Sequence, residues 1–479
     1  MRGGVTKVTL LIGMLAYRSV CAQSTSSSPD KPWHSKAERG VARELVANRQ
    51  PAYDVDPGKV YTLPELIDLA EMHNPDTRVA WETARERAAE VGIARTAFFP
   101  TLTAIALAST IRDAALIGES FHRQTLGIFE PTLHVEYLIF DFGGRGGTVD
   151  IAKANLIRAN LEFNDIHRRV IYEVSAAYYQ LINAKGQHDA AEISLKNAQM
   201  VEDDAQSRLK NGLGTLPDLL EATAAREQAD YDLQATLGAE QIAQGRLATS
   251  MGLPAETTFR IQDIHELPIP SSVPDSLDQE IDRALRQRPE LLEQIARIRA
   301  AKGSIKAARS AYVPTIGFVG DGGLARAYGQ QDLYPGHYAE GEVWSVGLQM
   351  KWTLFDGGRR EKALASANAE KRGAEADLNS LRDQIDQEVF TSYTNMQTAL
   401  RQQKSAAALL AASEQSYEAA RQSYNFGVRN QLDVISAQKT LAQARSEDVA
   451  ARAQLLLQAA DLEFRTADLI QVQPTQPGP

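Results

Sequence analysis

The sequence predicts a mainly α chain with a share in a β-barrel: a tandem-duplicated protomer of two long coiled-coil helical hairpins plus four β-strands. The duplication is the first observation behind this. Asn74-Pro75-Asp76 returns as Arg288-Pro289-Glu290, Ala97-Phe98-Phe99-Pro100 as Ala311-Tyr312-Val313-Pro314, and Gly143-Gly144-Arg145 as Gly357-Gly358-Arg359, all at an offset of 214 (288 − 74, 311 − 97, 357 − 143). Gly212 and Asp218 match Gly427 and Asp433 at 215, so one residue has slipped by then. The second observation is a switch from helical to alternating hydrophobicity in the middle of each copy. The third is a very long proline-free stretch with heptad spacing after each switch. The period is too long for a short solenoid repeat, so the two copies, residues 61–256 and 275–470, are expected to sit side by side.

In chain order, Arg2 and Lys7 precede an apolar stretch from Val8 to Ala16, and Val20-Cys21-Ala22 offers small residues at a cleavage site. This reads as a secretory signal peptide over residues 1–22, too short to be a retained membrane helix. Cleavage there removes Cys21, the only cysteine, and takes the formal charge from −10 to 48 − 61 = −13. A lipidated Cys21 would want Leu where Arg18 stands and a small residue where Val20 stands, so plain cleavage is favoured. The acidic balance argues against nucleic acid as a partner, since phosphate calls for a basic face. Residues 23–60, with several serines and prolines, read as a linker, and residues 471–479 as a disordered tail.

Each copy opens with two helices, expected over Leu63 to Met72 and from Asp76 to before Pro100, and again over Leu277 to Arg286 and Glu290 to Ala311. Strands follow. Leu133, Val135 and Tyr137 alternate with polar residues, and Trp344 to Leu354 is apolar at even positions. Such alternation marks a strand with one greasy and one wet face. Thr101 to Ile111 and Thr315 to Leu324 are expected to pair with these across loops at Arg112 to Gly127 and Ala325 to Gly341.

Gly143-Gly144-Arg145 and Gly357-Gly358-Arg359 are then expected as strand-to-helix hinges. The alternative for the first, a phosphate-binding loop, lacks the Lys-Ser/Thr ending. From Gly144 to Asn211 no proline interrupts an apolar seam through Ala177, Leu181, Ala184, His188, Ala191, Leu195, Ala198, Ala205 and Leu209. The second copy repeats the spacing with Met396, Ala399, Ala406, Leu410, Tyr417, Ala420 and Tyr424. A helix of this length would be roughly 100 Å long. Turns at Asn211 to Thr215 and Asn425 to Arg429 reverse the rods, and return helices follow from Asp218 and Asp433.

Four strands cannot close a barrel, since transmembrane barrels need about eight or more. Open edges in lipid are costly, so several protomers must pool their hairpins. The residues alone leave two, three or four copies open.

The order of these elements resembles the TolC-like outer-membrane efflux protein family, on the strength of Phe355-Asp356-Gly357-Gly358-Arg359-Arg360 after the last strand and of Tyr424 to Gly427, Asp433 and Gln438 at the second helical turn. The resemblance spans about Leu63 to Leu469. It implies a homotrimer with a 12-stranded outer-membrane barrel in lipid and a periplasmic α-barrel. It further implies an exit duct for an inner-membrane transporter of the RND or ABC type, reached through a periplasmic adaptor, in drug efflux or type I secretion. By position it assigns a gate at the helical tips to Tyr424 and Arg429 against Asp218. An Arg–carboxylate pair with a phenol bond can hold two coils together and still yield to a partner. The competing role for Asp218 and Asp433 is ordinary helix capping. The family's second ring acid falls on Ser436 here, so Asp433, with Asp218 and Glu221 of the first copy, is what remains for a cation-favouring ring.

No catalytic, cofactor or metal site is expected. The eight histidines show no HExxH spacing, His188 belongs to the helical seam, and no Ser/His/Asp arrangement stands out. The rival functional reading is a secreted coiled-coil scaffold with its hairpins packed in a soluble domain. A passive porin ranks below it, because its barrel would carry more hairpins and no long helices.

Overall fold

The computed structural model describes residues 55–467 except 57, 118, 275, 332 and 333, together with Val41 and Arg43. The expected signal peptide with Cys21, most of the linker and the tail at 471–479 lie outside the described residues. The chain divides after Asp56, and both copies of the repeat belong to the second unit, residues 57–479.

Two short helices open the first copy, α1 (Leu63–His73) and α2 (Pro75–Thr96). Thr62 and Glu65 cap α1 reciprocally, and the Asn74 side chain accepts from the Asp76 amide to start α2. Strands β2 (Thr101–Ile117) and β3 (Ser120–Phe140) come next, then the rod α3 (Gly144–Lys210) and its return α4 (Leu216–Ser250). The second copy repeats this as α5 (Leu277–Gln287), α6 (Pro289–Ser310), β5 (Thr315–Gln331), β6 (Tyr334–Lys351), α7 (Arg359–Asn425) and α8 (Gln431–Thr466). Two-residue strands β1 (Val60–Tyr61) and β4 (Arg260–Ile261) pair in parallel and tie the start of copy one to the segment between the copies.

The strands differ from expectation in length. The segments read as loops, Arg112 to Gly127 and Ala325 to Gly341, are mostly strand, with pairing continuing to Ile117↔Ser120 and Gln331↔Tyr334. Their charged and glycine-rich residues hide the alternation, but a backbone ladder needs no greasy face where both sides meet water. All four strands form one antiparallel sheet in the order β2-β3-β5-β6, so the two hairpins join through β3 and β5.

The rods α3 and α7 contain 67 residues each, about 100 Å of helix. Of the predicted seam, Ala177, Leu181, Ala184, Ala198 and Ala205 are buried on α3, as are Met396, Ala399, Ala406, Tyr417 and Ala420 on α7. His188, also on the seam, is half-buried, and its Nδ1 lies 2.9 Å from Glu240 on α4. Helix α3 packs on α4, α8, α6 and α2, whereas α7 packs on α8 and α6. Helices α3 and α6 cross glycine on glycine. A Cβ on Gly147 would stand 2.8 Å from the Gly303 carbonyl, and one on Gly303 would stand 2.8 Å from Ile151.

Charge clamps the second copy where the short helices meet the rods. Arg288, 5% exposed, donates to Glu290 on α6 and Glu388 on α7, both at 2.8 Å. Arg465 on α8 adds a 3.0 Å bond to Glu388. Burial opposes ionisation of Glu290 and Glu388, but the Arg288 bonds and charge outweigh it and hold both below the usual carboxylate range. Copy one does the same job with a neutral group: Asn74, at the position of Arg288, donates to the Ser250 carbonyl at 2.9 Å. Glu293 lies on the losing side of this crowd. Burial, then the charges of Asp165, Glu162 and Glu290, push it from 4.5 to about 7.

Gly303→Val should cost ~1–3 kcal/mol by overpacking the α3–α6 crossing, seen as a lower thermal midpoint. Because the folded chain raises the Glu293 pKa, the destabilisation builds as pH climbs from 4.5 to about 7 and is complete above that. Glu293→Gln should therefore raise the thermal midpoint at pH 8 and leave it unchanged near pH 4, measured against the parent at each pH.

Candidate channel wall and helical tips

The hinge between strand and rod is built by a left-handed backbone and an arginine. At the end of β3, Phe142 and Gly143 have φ of 50° and 100°, and after β6 Gly357 and Gly358 have 67° and 83°. Two consecutive residues in this region turn the chain sharply, and glycine takes it without steric cost. Asp141 and Asp356 then cap the new helices, accepting from the amides of Arg145 and Arg360. The Arg145 guanidinium bonds the carbonyls of Leu138, Ile139 and Ala97 and lies over the Phe98 ring. Its counterpart is Arg360, which pairs with Asp356 at 2.9 Å, bonds the Leu354 carbonyl and lies over Tyr312. This corrects the register of the duplication. The equivalents of Gly143 and Arg145 are Gly358 and Arg360, at 358 − 143 = 215, so Arg359 is not the second hinge arginine. The slip falls within the hairpins, before the rods. Gly144, inside α3, is held small by Ser310, whose Oγ would stand 2.6 Å from an added Cβ.

The sheet carries two unlike faces. Register rows Leu102↔Val135↔Gly320↔Val346 and Ala104↔Leu133↔Gly322↔Trp344 put the predicted greasy positions of both copies on one side. Leu102, Trp344 and Leu348 on that side are 68%, 77% and 74% exposed in the single chain. The other face carries a polar row, Thr103↔His134↔Asp321↔Ser345, in which His134 Nδ1 lies 2.7 Å from Asp321 and Ser345 donates to Asp321 at 3.0 Å. The outer strands β2 and β6 each pair on one side only among the described residues.

At the far end of the rods the chain turns at Gly212 and Gly427. Asp218 is spent on capping: its carboxylate accepts from the Thr215 amide at 3.0 Å and hydroxyl at 2.7 Å. The Asp433 amide is capped by Asn430 at 2.9 Å. Tyr424 donates to Gln431 at 3.1 Å, and Gln431 donates to the Asp218 carbonyl at 3.3 Å. Burial, opposed by nearby Arg208, leaves the Tyr424 phenol above its ordinary pKa. Of the expected gate residues the single chain thus brings Tyr424 and Asp218 together through Gln431. Arg429 is exposed and makes no ion pair among the described residues, and Glu221 is exposed as well. The sequence reading missed Gln431 and Arg208, whose residue types carry no motif of their own. Around the turns Leu213, Leu216, Phe426 and Val428 are all exposed.

The sequence profile of the outer membrane efflux protein family matches this chain twice, over residues 66–253 and 281–466. The chain belongs to that family. Among its relatives, Protein CyaE of Bordetella pertussis is 27% identical over 420 residues, 85% of this chain and 84% of the relative. The pyoverdine export outer membrane protein OpmQ of Pseudomonas putida is 26% identical over 413 residues, 82% of each. The solved outer-membrane channel OprN has the same fold, with a TM-score of 0.73 at 19% identity over 93% of this chain and 98% of that one. As a family member the chain is an outer-membrane transport protein with a helical periplasmic part. Its relatives are efflux channels and not enzymes, and membership sets aside the soluble scaffold. No helix is long and apolar enough to cross a membrane among the described residues.

A charge on the greasy face should therefore block outer-membrane insertion. Leu348→Arg is expected to cost ~2–4 kcal/mol near the bilayer midplane. Gln349→Arg, one residue along and on the opposite face, should insert normally. Outer-membrane fractionation of the two variants compares them.

Proposed function

We propose that the chain is the exit duct of an export machine, working as a homotrimer whose three sheets close a 12-stranded barrel. The observation that carries this is the open sheet: four strands, one greasy face and two edges unpaired among the described residues. In hydrocarbon each unpaired amide or carbonyl costs several kcal/mol, and pooling edges between copies is the remedy. The family supplies the number three. The long rods, assembled side by side, then continue the cylinder into the periplasm.

The duct serves an inner-membrane transporter, of the RND or ABC type, through a periplasmic adaptor. The exposed apolar residues at the tips, Leu213, Phe426 and Val428, support a protein partner there, since water gains nothing from them. The role of OpmQ in pyoverdine export supports outward traffic of a solute. The tips act as the entrance. Arg429, exposed in the single chain, reaches a carboxylate such as Glu221 across a protomer boundary, and Asp433 adds negative charge that favours cations. Selection of cargo rests with the transporter, because a wide aqueous tunnel discriminates little.

Purified protein, cross-linked and resolved by size, should show a trimer, and in planar bilayers it should conduct. A detergent-free monomer without conductance would overturn the reading. Arg429→Ala should raise single-channel conductance, and an unchanged pore would leave Arg429 outside the gate.

A further inference from the structure

We infer that a basic groove at the hinge end of the sheet binds the phosphate headgroup of an anionic phospholipid from the periplasmic leaflet. This rests on reading the greasy face of the sheet as the lipid side. The groove lies between α6 and α7 and has a volume of about 590 Å³, the size of a small-ligand site. Lys302, Lys306 and Arg309 of α6 and Lys371 of α7 line it, and no Asp or Glu does.

Spacing explains the gathering. Lys302, Lys306 and Arg309 are four and three residues apart, so they fall on one face of α6. Lys306 pairs with Asp150 of α3 at 2.9 Å, and Lys371 with Glu375 at 2.7 Å. Lys302 and Arg309 are exposed and make no ion pair among the described residues. On the α3 side a second cavity shares Lys302 and Lys306 and adds Arg299 and Lys153. The carbonyl end of a helix favours cations, but that accounts only for Arg309, in the last turn of α6. Copy one has Ala88 and Gly92 where Lys302 and Lys306 stand (302 − 214, 306 − 214) and Leu156 where Lys371 stands (371 − 215). The packing of the repeat therefore does not demand these charges.

The rest of the lining suits an amphiphile. Phe142, Ile305 and Val313 give the same groove an apolar wall. The Phe142 ring meets Phe140 edge to face, with centroids 5.5 Å apart. In the register row Phe140↔Ile316↔Met350, Phe140 shares the greasy side with Met350, and the two are 55% and 67% exposed. An apolar path thus runs from the groove onto the greasy face. A free phosphate would use the cations alone. A phospholipid uses both, with its phosphate among Lys302, Lys306 and Arg309 and its chains against Phe140.

The test is native mass spectrometry of the detergent-purified protein, offered phosphatidylglycerol and phosphatidylcholine in equal amounts. The parent should retain phosphatidylglycerol in preference. Lys302→Gln with Arg309→Gln should lower that preference by about thirtyfold in weak salt, the attraction of two cations for a headgroup. Both side chains are exposed, so the thermal midpoint should hold. Lys302→Arg with Arg309→Lys keeps the charges and should keep the preference. Arg85→Gln with Arg95→Gln, at the copy-one positions of Arg299 and Arg309, should leave it unchanged. Equal retention of the two lipids by the parent, or a preference untouched in the Gln pair, overturns the site. Displacement of the lipid by inorganic phosphate alone would assign the groove to a free anion, and displacement by poly-glutamate to an acidic protein; either result overturns the lipid. Leu348→Arg separates the site from the reading beneath it. If that variant is kept out of the outer membrane while the parent shows no lipid preference, only the headgroup site falls. If it inserts normally, the greasy face is not the lipid side and both fall.

Discussion

A strand edge in hydrocarbon has nowhere to send its amides and carbonyls, and much of this chain's design answers that constraint. Four strands with one greasy face form a wall segment that is incomplete by itself. The exposed Leu102, Trp344 and Leu348 have no place in a solvated monomer, and the edges β2 and β6 ask for neighbours. In the proposed duct lipid covers the face, and other copies cover the edges. The helical rods inherit the same requirement, because their Ala-rich seams bury one side while α4 and α7 remain the outer members of the packed set α4-α3-α8-α7. Assembly belongs to the backbone chemistry of the fold and is not an addition to it.

Between wall and rod the direction of the chain changes within a few residues, and the hinge carries that change. A left-handed pair, a capping aspartate and an arginine tied to main-chain carbonyls just before the turn occur in both copies, as Asp141 with Arg145 and Asp356 with Arg360. The arginine satisfies carbonyls that leave the sheet before they can enter a helix. Its stack on Phe98 or Tyr312 fixes the preceding turn as well. The rod therefore leaves the sheet at a set angle.

Duplication preserved this frame and let other positions diverge. Where copy one holds its helix junction with Asn74, copy two uses buried Arg288 between two glutamates, with Arg465 closing the network. Removing one member of such a buried set leaves uncompensated charge, which makes the second junction the stiffer and more exacting of the two. The tips diverge as well. Thr215 and Asp218 form a closed capping box in the first copy, whereas the second supplies Tyr424 and Gln431 as the linking pair. Asymmetry between the two copies gives this chain two helical tips of different kinds.

The repeat, the four strands, the rods, the hinge glycines and the family were legible in the sequence, because each rests on periodicity or on backbone-special residues that leave a local mark. Alternation of Leu133, Val135 and Tyr137 announces a two-faced strand wherever it is placed, and a heptad seam announces a rod. The hairpin ends were not legible, since Arg112 to Ile117 pairs through its backbone while its side chains follow no pattern. Nor was the slip that makes Arg360 the partner of Arg145, because two adjacent arginines look equivalent until one of them reaches a strand carbonyl. The tertiary structure alone decided that Gln431 and Arg208 gather around Tyr424. The contacts of Arg208 with Tyr424 and of Gln431 with Asp218 join residues over 200 positions apart, and a single amide or guanidinium gives no sign in sequence of which distant group it will satisfy.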